Sequence, residues 1–465
     1  MINLDTLIVT LYVSGLFIFA IRLGRQQSLD DFMVMSRKAP FALVVFSIVS
    51  TWVGIGTTVA TSASAYDKGI SLGLSAACGG VLGIFAALKL APKVKNFGDR
   101  HKAYTLADFF SIRYNSASRT IAAIFILSVY VMLTAAQFLG LSALLEVWTG
   151  IEANILVWFT AISTIIYTAF AGMRSDFYTD IIHFIVMAIV LFVVMLPLSY
   201  VKMGGYKPLL DLNSTYYDPF AYGGISFFIA SLVFGCVSVF VTMEIWQRIY
   251  ASSSLSAARN SLVVSLLIIV LFYAISTYFG LVCRALELDL ASRDNALFTL
   301  MTTILPPGAF GLGLAAFIAI FISTINSTIM VAAATLSNDL IFPRLSLNNN
   351  PDRKLSIARL STLFCGIIGL IISLLIPNLV ALSVNALLML LIIAPAIVGG
   401  FYFERPGNTS ALLSMAAGAI TLFIFLFLTP ETAFVPAAGV SLITYIISAI
   451  FEKPKTKKVS YEHYS

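Results

Sequence analysis

Long apolar runs dominate this sequence and decide what it can fold into. An α-helix needs about 20 apolar residues to cross the hydrocarbon core of a bilayer. Thirteen runs of that kind, bounded by charge, Pro or Gly clusters, lie near residues 3–21, 41–66, 70–90, 119–145, 153–171, 176–200, 224–246, 262–283, 308–341, 357–376, 378–402, 409–428 and 433–451. Only 11% of the 465 residues are Asp, Glu, Lys or Arg, against about 25% in a soluble globular protein. With 59% hydrophobic residues, lipid must be the solvent for most of the chain, which excludes an ordinary cytosolic enzyme. The runs also leave no room for a soluble catalytic domain. The first run carries Asp5 where a signal peptide has a basic segment, and no small-residue cleavage site follows, so it is expected to be a retained helix. The expectation is an all-α polytopic membrane protein, one membrane domain over residues 1–465.

Basic residues are retained in cytoplasmic loops, and here they are distributed unevenly. Loops after odd-numbered runs hold 23 of the 28 Lys and Arg residues, and the opposite loops hold Lys68, Lys202, Lys207, Arg284 and Arg293. This predicts an N-terminus outside, a C-terminus in the cytoplasm, and a multi-pass protein of the cell inner or plasma membrane. The formal net charge of +6 then reflects topology and attraction to anionic membrane lipid, and no nucleic-acid partner is expected. Cys78, Cys236, Cys283 and Cys365 all sit in apolar stretches without CxxC or metal spacing, so neither a disulfide framework nor a zinc site is expected.

No GxxxxGK[ST] or HExxH motif occurs. Catalysis and ATP-driven pumping lack residues to perform them, which leaves movement of a solute or ion. That needs polar groups at membrane depth, and two clusters supply them. In the second run, Ser50 to Thr58 contains Gly54 and Gly56 among hydroxyls. A Gly-interrupted span frees backbone carbonyls, which a bilayer tolerates only where they line a cavity or bind a ligand; the bland alternative is small-residue packing. In the ninth run, Ser323, Asn326 and Ser327 share one helical face with Thr324 beside it. Neutral oxygens at one depth suit a weakly held, hard monovalent cation, while back-bonding of the hydroxyls to their own helix is the alternative. Two carboxylates also fall inside runs. Glu244 has Arg248 at i+4 as a local ion-pair partner, whereas Asp180 has no basic residue one turn away, only His183 on its face.

Removing the first run and the last two leaves two blocks of five, 41–200 and 224–402, flanked by an extra N-terminal helix at 3–21 and two C-terminal helices at 409–451. Five is odd, so the second block is inverted relative to the first, and broken helices opening inverted repeats form the midplane site of many transporters. No residue-level similarity links the blocks; the repeat follows from count and orientation.

Several ordered motifs carry a resemblance over nearly the whole chain. They are Tyr104-Thr-Leu-Ala-Asp-Phe109 with Arg113-Tyr114, the run from Tyr167 through Ala171-Gly172 to Thr179-Asp180, Gln247-Arg248, Ser323-Thr324, Asn338-Asp339 and Arg359. The chain resembles the sodium:solute symporters, departing in Ala171 where a second Gly is usual and in Ile320 where Ala is frequent. The resemblance implies a LeuT-like fold of 13 transmembrane helices, five plus five with one extra helix before and two after. It implies symport of sodium with a small organic solute by alternating access. A main sodium site would use carbonyls of Val49, Trp52 and Ile320 with hydroxyls of Ser323 and Thr324. Solute would contact Thr51, Trp52, Gly56 and Thr57 with Thr134 and Gln137 opposite, and Asp180 with Ser323, Asn326 and Ser327 would form a second sodium site. Gln137-Phe-Leu-Gly140 is similar to the carboxylate and pantothenate branch, and the second run lacks the Asn and Gln of sugar carriers, which favours a carboxylate or amino-acid-like solute over a sugar. Proton coupling through Asp180 and His183, a channel, and a transporter-like membrane sensor are the rival readings. The sensor is disfavoured by the few residues after Phe451. A monomer or weak oligomer is expected.

Overall fold

A computed structural model describes residues 4–25, 27–290, 292–345, 350–376, 386–404, 406–428 and 433–452. Regular structure among them is helical, with one isolated parallel bridge between Ala39 and Ser252. Among the described residues ten helices are long and apolar enough to cross a membrane, and one further pair is bent. In chain order the elements used below are α1 (Leu4–Gly24), the bent pair α2 (Phe41–Trp52) and α3 (Gly56–Lys68), α4 (Ser71–His101), α5 (Ser116–Thr149), α6 (Ala153–Met203) and α7 (Gly224–Val241). There follow α8 (Met243–Ala251), α9 (Leu255–Ala285), α10 (Ala309–Arg344), α11 (Pro351–Leu375), α12 (Ala386–Tyr402), α13 (Asn408–Leu428) and α14 (Phe434–Phe451).

The difference from thirteen runs lies at three places. The second run is the bent pair α2 and α3, turned by 60°. The eleventh begins in residues 377–385, outside the described residues, and its described part is the shorter α12. The fifth and sixth runs form the single 51-residue stretch α6, but α6 is not straight. Gly172, at φ 63° and ψ 175°, leaves helical geometry inside it. Contacts with α1 show what happens there. Before the glycine, Phe17 packs on Tyr167 with ring centroids 4.8 Å apart, and Gly24 abuts the Phe170 carbonyl. After it, Ser175 Oγ donates to the Ala20 carbonyl at 3.1 Å and the Tyr12 hydroxyl meets His183 Nδ1 at 2.6 Å. The first arm thus ascends with α1 and the second descends against it, so α6 is a hairpin. A Cβ at residue 172 would lie 2.3 Å from Gln27 Oε1 and 2.7 Å from the Phe32 ring, and φ is positive, so glycine alone fits this turn.

At the centre stands α10, whose most apolar window is wholly buried, with α1, α2, α5, α6 and α11 around it. Its Ala, Gly and Ser content lets neighbouring backbones approach. Beyond its hydroxyl cluster, α10 ends in an ionic lock. Arg119 bonds Asp108 at 2.7 Å and Asp339 at 2.8 Å, Thr105 Oγ1 donates to Asp339 at 2.8 Å, and Asn338 Nδ2 donates to Asp108 at 3.1 Å. Thr105 and Asp108 also form a capping box at the start of the short helix Leu106–Arg113. Motifs separated by more than two hundred residues in sequence meet at this one spot.

Candidate functional site

The bend between α2 and α3 is made by few residues. Val53 N donates to the Val49 carbonyl at 2.8 Å and Gly54 N to the Trp52 carbonyl at 2.9 Å, after which Gly56–Ala60 forms a π-helical turn. Gln137 of α5 braces the break by accepting from Ile55 N at 3.3 Å. A Cβ at Gly54 would lie 2.8 Å from Thr324 Oγ1 and 3.2 Å from Gln137 Nε2, so the missing side chain is what lets α10 approach the break. Thr324 Oγ1 donates to the Ile320 carbonyl at 3.0 Å and the Thr51 carbonyl at 3.2 Å. Of the residues expected to hold a main sodium, Val49, Trp52, Ile320 and Thr324 surround the break. Ser323 turns one step away and donates to Asp180 Oδ1 at 2.5 Å.

Beside the break lies a buried charge cluster. Arg248 of α8 is fully buried. Its Nη2 donates to Thr51 Oγ1 and Ser327 Oγ, each at 2.6 Å, and to Asp176 Oδ2 at 3.1 Å. Its Nε donates to Ser47 Oγ at 3.1 Å. Asp180 Oδ2 stands 3.9 Å from the guanidinium and accepts from Ser47 Oγ at 2.7 Å, and its carbonyl accepts from Ser50 at 2.9 Å. Ser327 Oγ donates to Asp176 at 3.0 Å. Breaking a buried pair of this kind leaves an uncompensated charge and is strongly destabilising. Two local expectations are corrected here. Arg248 meets only the main-chain carbonyl of Glu244, at 3.4 Å, because its guanidinium is committed across the bundle, and Glu244 Oε2 has no hydrogen-bond partner. Asp180, which has no Lys or Arg one turn away on its own helix, has Arg248 nearby from another. Of the expected second-site group, Asp180 and Ser323 meet directly, Ser327 bridges to Asp176, and Asn326 Oδ1 accepts from Thr168 at 2.6 Å.

A cavity of about 110 Å³ opens on the other side of the bend. Trp52, Gly56 and Thr61 form one wall, and Phe227, Phe234 and Tyr273 of α7 and α9 another. Ser231 and Ser238 add hydroxyls, and among the described residues no charged side chain lines it. A Cβ at Gly56 would meet nothing within 4 Å. The other expected solute contacts are turned elsewhere: Thr51 toward Arg248, Thr57 onto the Trp52 carbonyl at 2.8 Å, Thr134 onto Thr328 at 2.9 Å, and Gln137 onto the break. Sequence reasoning missed Asp176, Ser47 and Tyr273. Asp176 was recognisable as the i−4 partner of Asp180, a paired carboxylate on one helical face, whereas nothing local marks Tyr273.

Residues 32–418 match the sequence profile of the sodium:solute symporter family. The chain is 25% identical to the sodium/pantothenate symporter of Escherichia coli strain K12, over 94% of each chain. It is 24% identical to the osmoregulated proline transporter OpuE of Bacillus subtilis strain 168, over 96% of this chain and 89% of that one. In fold it matches the substrate-bound, outward-open structure of a Na+-coupled sialic acid symporter with a TM-score of 0.82 at 17% identity, over 97% of this chain and 98% of the other.

Proposed function

The chain belongs to the sodium:solute symporter family, and from that premise we propose that inward sodium flow through the α2–α3 break drives uptake of a small, amino-acid-like solute. The protein is a multi-pass membrane transporter and not an enzyme. One observation carries the ion site: Thr324, in the buried stretch of α10, reaches the Thr51 and Ile320 carbonyls where α2 breaks. A sodium held by Val49, Trp52 and Ile320 carbonyls with Ser323 and Thr324 hydroxyls would replace those local bonds. Each sodium entering supplies about 2.3 kcal/mol per 100 mV of membrane potential.

The solute reading rests on the cavity beside the bend. Its aromatic walls and few hydroxyls favour a small body with balanced charge, because an isolated anion there has no cationic side chain to meet it and a sugar finds too few polar partners. We therefore favour a zwitterionic amino acid over a free carboxylate. A second sodium at Asp180 is supported by charge count: Asp176 and Asp180 face one Arg248, which leaves one negative charge for Asp180, Ser323, Asn326 and Ser327 to share with a cation.

The layout that goes with this cycle places the N-terminus outside and the C-terminus in the cytoplasm. It has thirteen spans, with inverted five-helix repeats at 41–200 and 224–402, the helix at 3–21 before them and the two at 409–451 after. The transporter works as a monomer or weak oligomer in lipid. The test is thermal melting of the purified protein in sodium, potassium and choline at matched ionic strength, since a ligand of the folded state raises its stability. Sodium alone should stabilise, and amino acids should add to that shift where sugars and simple organic acids do not. Equal stabilisation by all three cations removes the sodium site.

A further inference from the structure

The buried cluster sets one arginine against two aspartates, and that count decides which ions can complete it. Five side-chain oxygens surround the guanidinium: Thr51 and Ser327 at 2.6 Å, Asp176 and Ser47 at 3.1 Å, and Asp180 at 3.9 Å. They come from α2, α6 and α10, which converge from different sides. Asp176 is 1% exposed, and its Oδ1 has no hydrogen-bond partner, so the shell has acceptor capacity to spare. Without the arginine this is the oxygen-rich, doubly carboxylate environment that hard divalent cations bind. With the arginine and both aspartates ionised, the cluster carries a single negative charge. A monovalent cation brings it to zero, whereas a divalent cation leaves an unbalanced positive charge in the bilayer interior, where charge is expensive.

We propose that Arg248 is a specificity-determining residue for the coupling ion: its fixed positive charge occupies one half of a site that would otherwise take Ca2+ or Mn2+, and so restricts the remaining half to a monovalent ion. Arg248 does this without touching the ion, by neutralising Asp176 and leaving the Asp180 and Ser323 side as the open portion. The proposal rests on the sodium-symport reading above and adds valence selection to it.

Thermal melting with sodium, calcium or manganese present tests it in the purified full-length chain. In the unmodified protein sodium raises the melting temperature, while millimolar calcium or manganese neither raises it nor competes with sodium. Arg248→Gln should acquire calcium and manganese stabilisation, or accumulate folded only when one of them is supplied. Adding Asp176→Asn to that variant should abolish the gain, which separates the cluster from divalent sites elsewhere. Asp176→Asn with Arg248 kept is the independent arm. There one arginine balances one aspartate without any ion, and sodium half-saturation should rise by at least ~10-fold. The proposal is overturned if divalent cations stabilise or compete in the unmodified protein, if folded Arg248→Gln ignores them, or if Asp176→Asn leaves sodium half-saturation unchanged. Absence of any sodium effect in the unmodified protein would instead overturn the symport reading itself.

Discussion

Two clusters in this molecule have the same charged composition, one arginine and two aspartates, each with one buried aspartate oxygen lacking a hydrogen-bond partner, Asp339 Oδ2 and Asp176 Oδ1, and they differ in how closely the arginine reaches both carboxylates. At the end of α10, Arg119 reaches both Asp108 and Asp339 within 2.8 Å, and Asp108 also accepts the backbone N–H of Tyr104 and Thr105. Beside the α2 break, Arg248 reaches Asp176 at 3.1 Å but Asp180 only at 3.9 Å, with hydroxyls from α2 and α10 filling the interval. The first has partial access to solvent, Arg119 and Asp108 being 17% and 15% exposed, while in the second all three side chains are within 2% of full burial. At the helix end the arginine contacts both carboxylates directly, whereas beside the break it contacts one and stands off the other, which is where the proposed second sodium would sit.

The largest expected effect breaks the closed cluster. Arg119→Gln strands two carboxylates and should lower stability by about 3–5 kcal/mol, yet leave the sodium half-saturation of whatever protein remains folded unchanged. Melting curves across a sodium series check both halves, and a shifted sodium dependence would erase the distinction between lock and ion site. Next, Gly56→Leu fills the uncharged cavity and touches neither cluster. Solute affinity should fall by more than ~100-fold, about 2.8 kcal/mol, with sodium-induced stabilisation retained. Solute binding that survives this change places the pocket elsewhere. Smaller still, Ser323→Ala or Thr324→Ala should raise sodium half-saturation about 10-fold, or ~1.4 kcal/mol, read from sodium-dependent uptake. An unchanged sodium curve in the double variant would assign these hydroxyls to packing.

The smallest effect concerns a lone carboxylate with no arginine. Burial would raise the Glu452 pKa, but hydrogen bonds from the Ser410 hydroxyl and from backbone N–H groups of Ser410, Thr409 and Gly407 outweigh it and hold the carboxyl below its ordinary value. It thereby caps the start of α13, where a negative charge is favoured. Because the folded value is the lower one, the stabilisation is fully present above the unfolded value of about 4.3 and disappears as pH falls through the folded value. Glu452→Gln should melt slightly below the unmodified protein at neutral pH, and the gap should close in acid. A gap that persists in acid assigns the effect to packing.

Some of this architecture was legible because its cause is local. Two glycines among hydroxyls foretold the break at Gly54, and the helical spacing of Ser323, Asn326 and Ser327 put their side chains on the α10 face that meets α2 and α6. The Arg248 to Asp176 pair was not legible. It joins residues 72 positions apart on different helices, and local spacing offered Glu244 as a nearer partner. Thr134 and Gln137 are polar and lie at the right depth, but a sequence cannot tell whether a polar group faces a cavity or braces a neighbour, since both satisfy its hydrogen bonds. The turn at Gly172 fell where a short loop was expected, because hydropathy registers the charge of Arg174 and not the backbone angle beside it.

That turn has a consequence for how the protein is made. The two arms of α6 are joined through a single non-helical residue, packed against Gln27 and Phe32, so no linker exists in which the first arm can pause while the second is translated. The pair must leave the insertion machinery together, as a unit already folded back. The same tightness leaves no room for an inserted tag or protease site between the arms, so a probe placed there would report on failed biogenesis, not on which face of the bilayer the turn occupies.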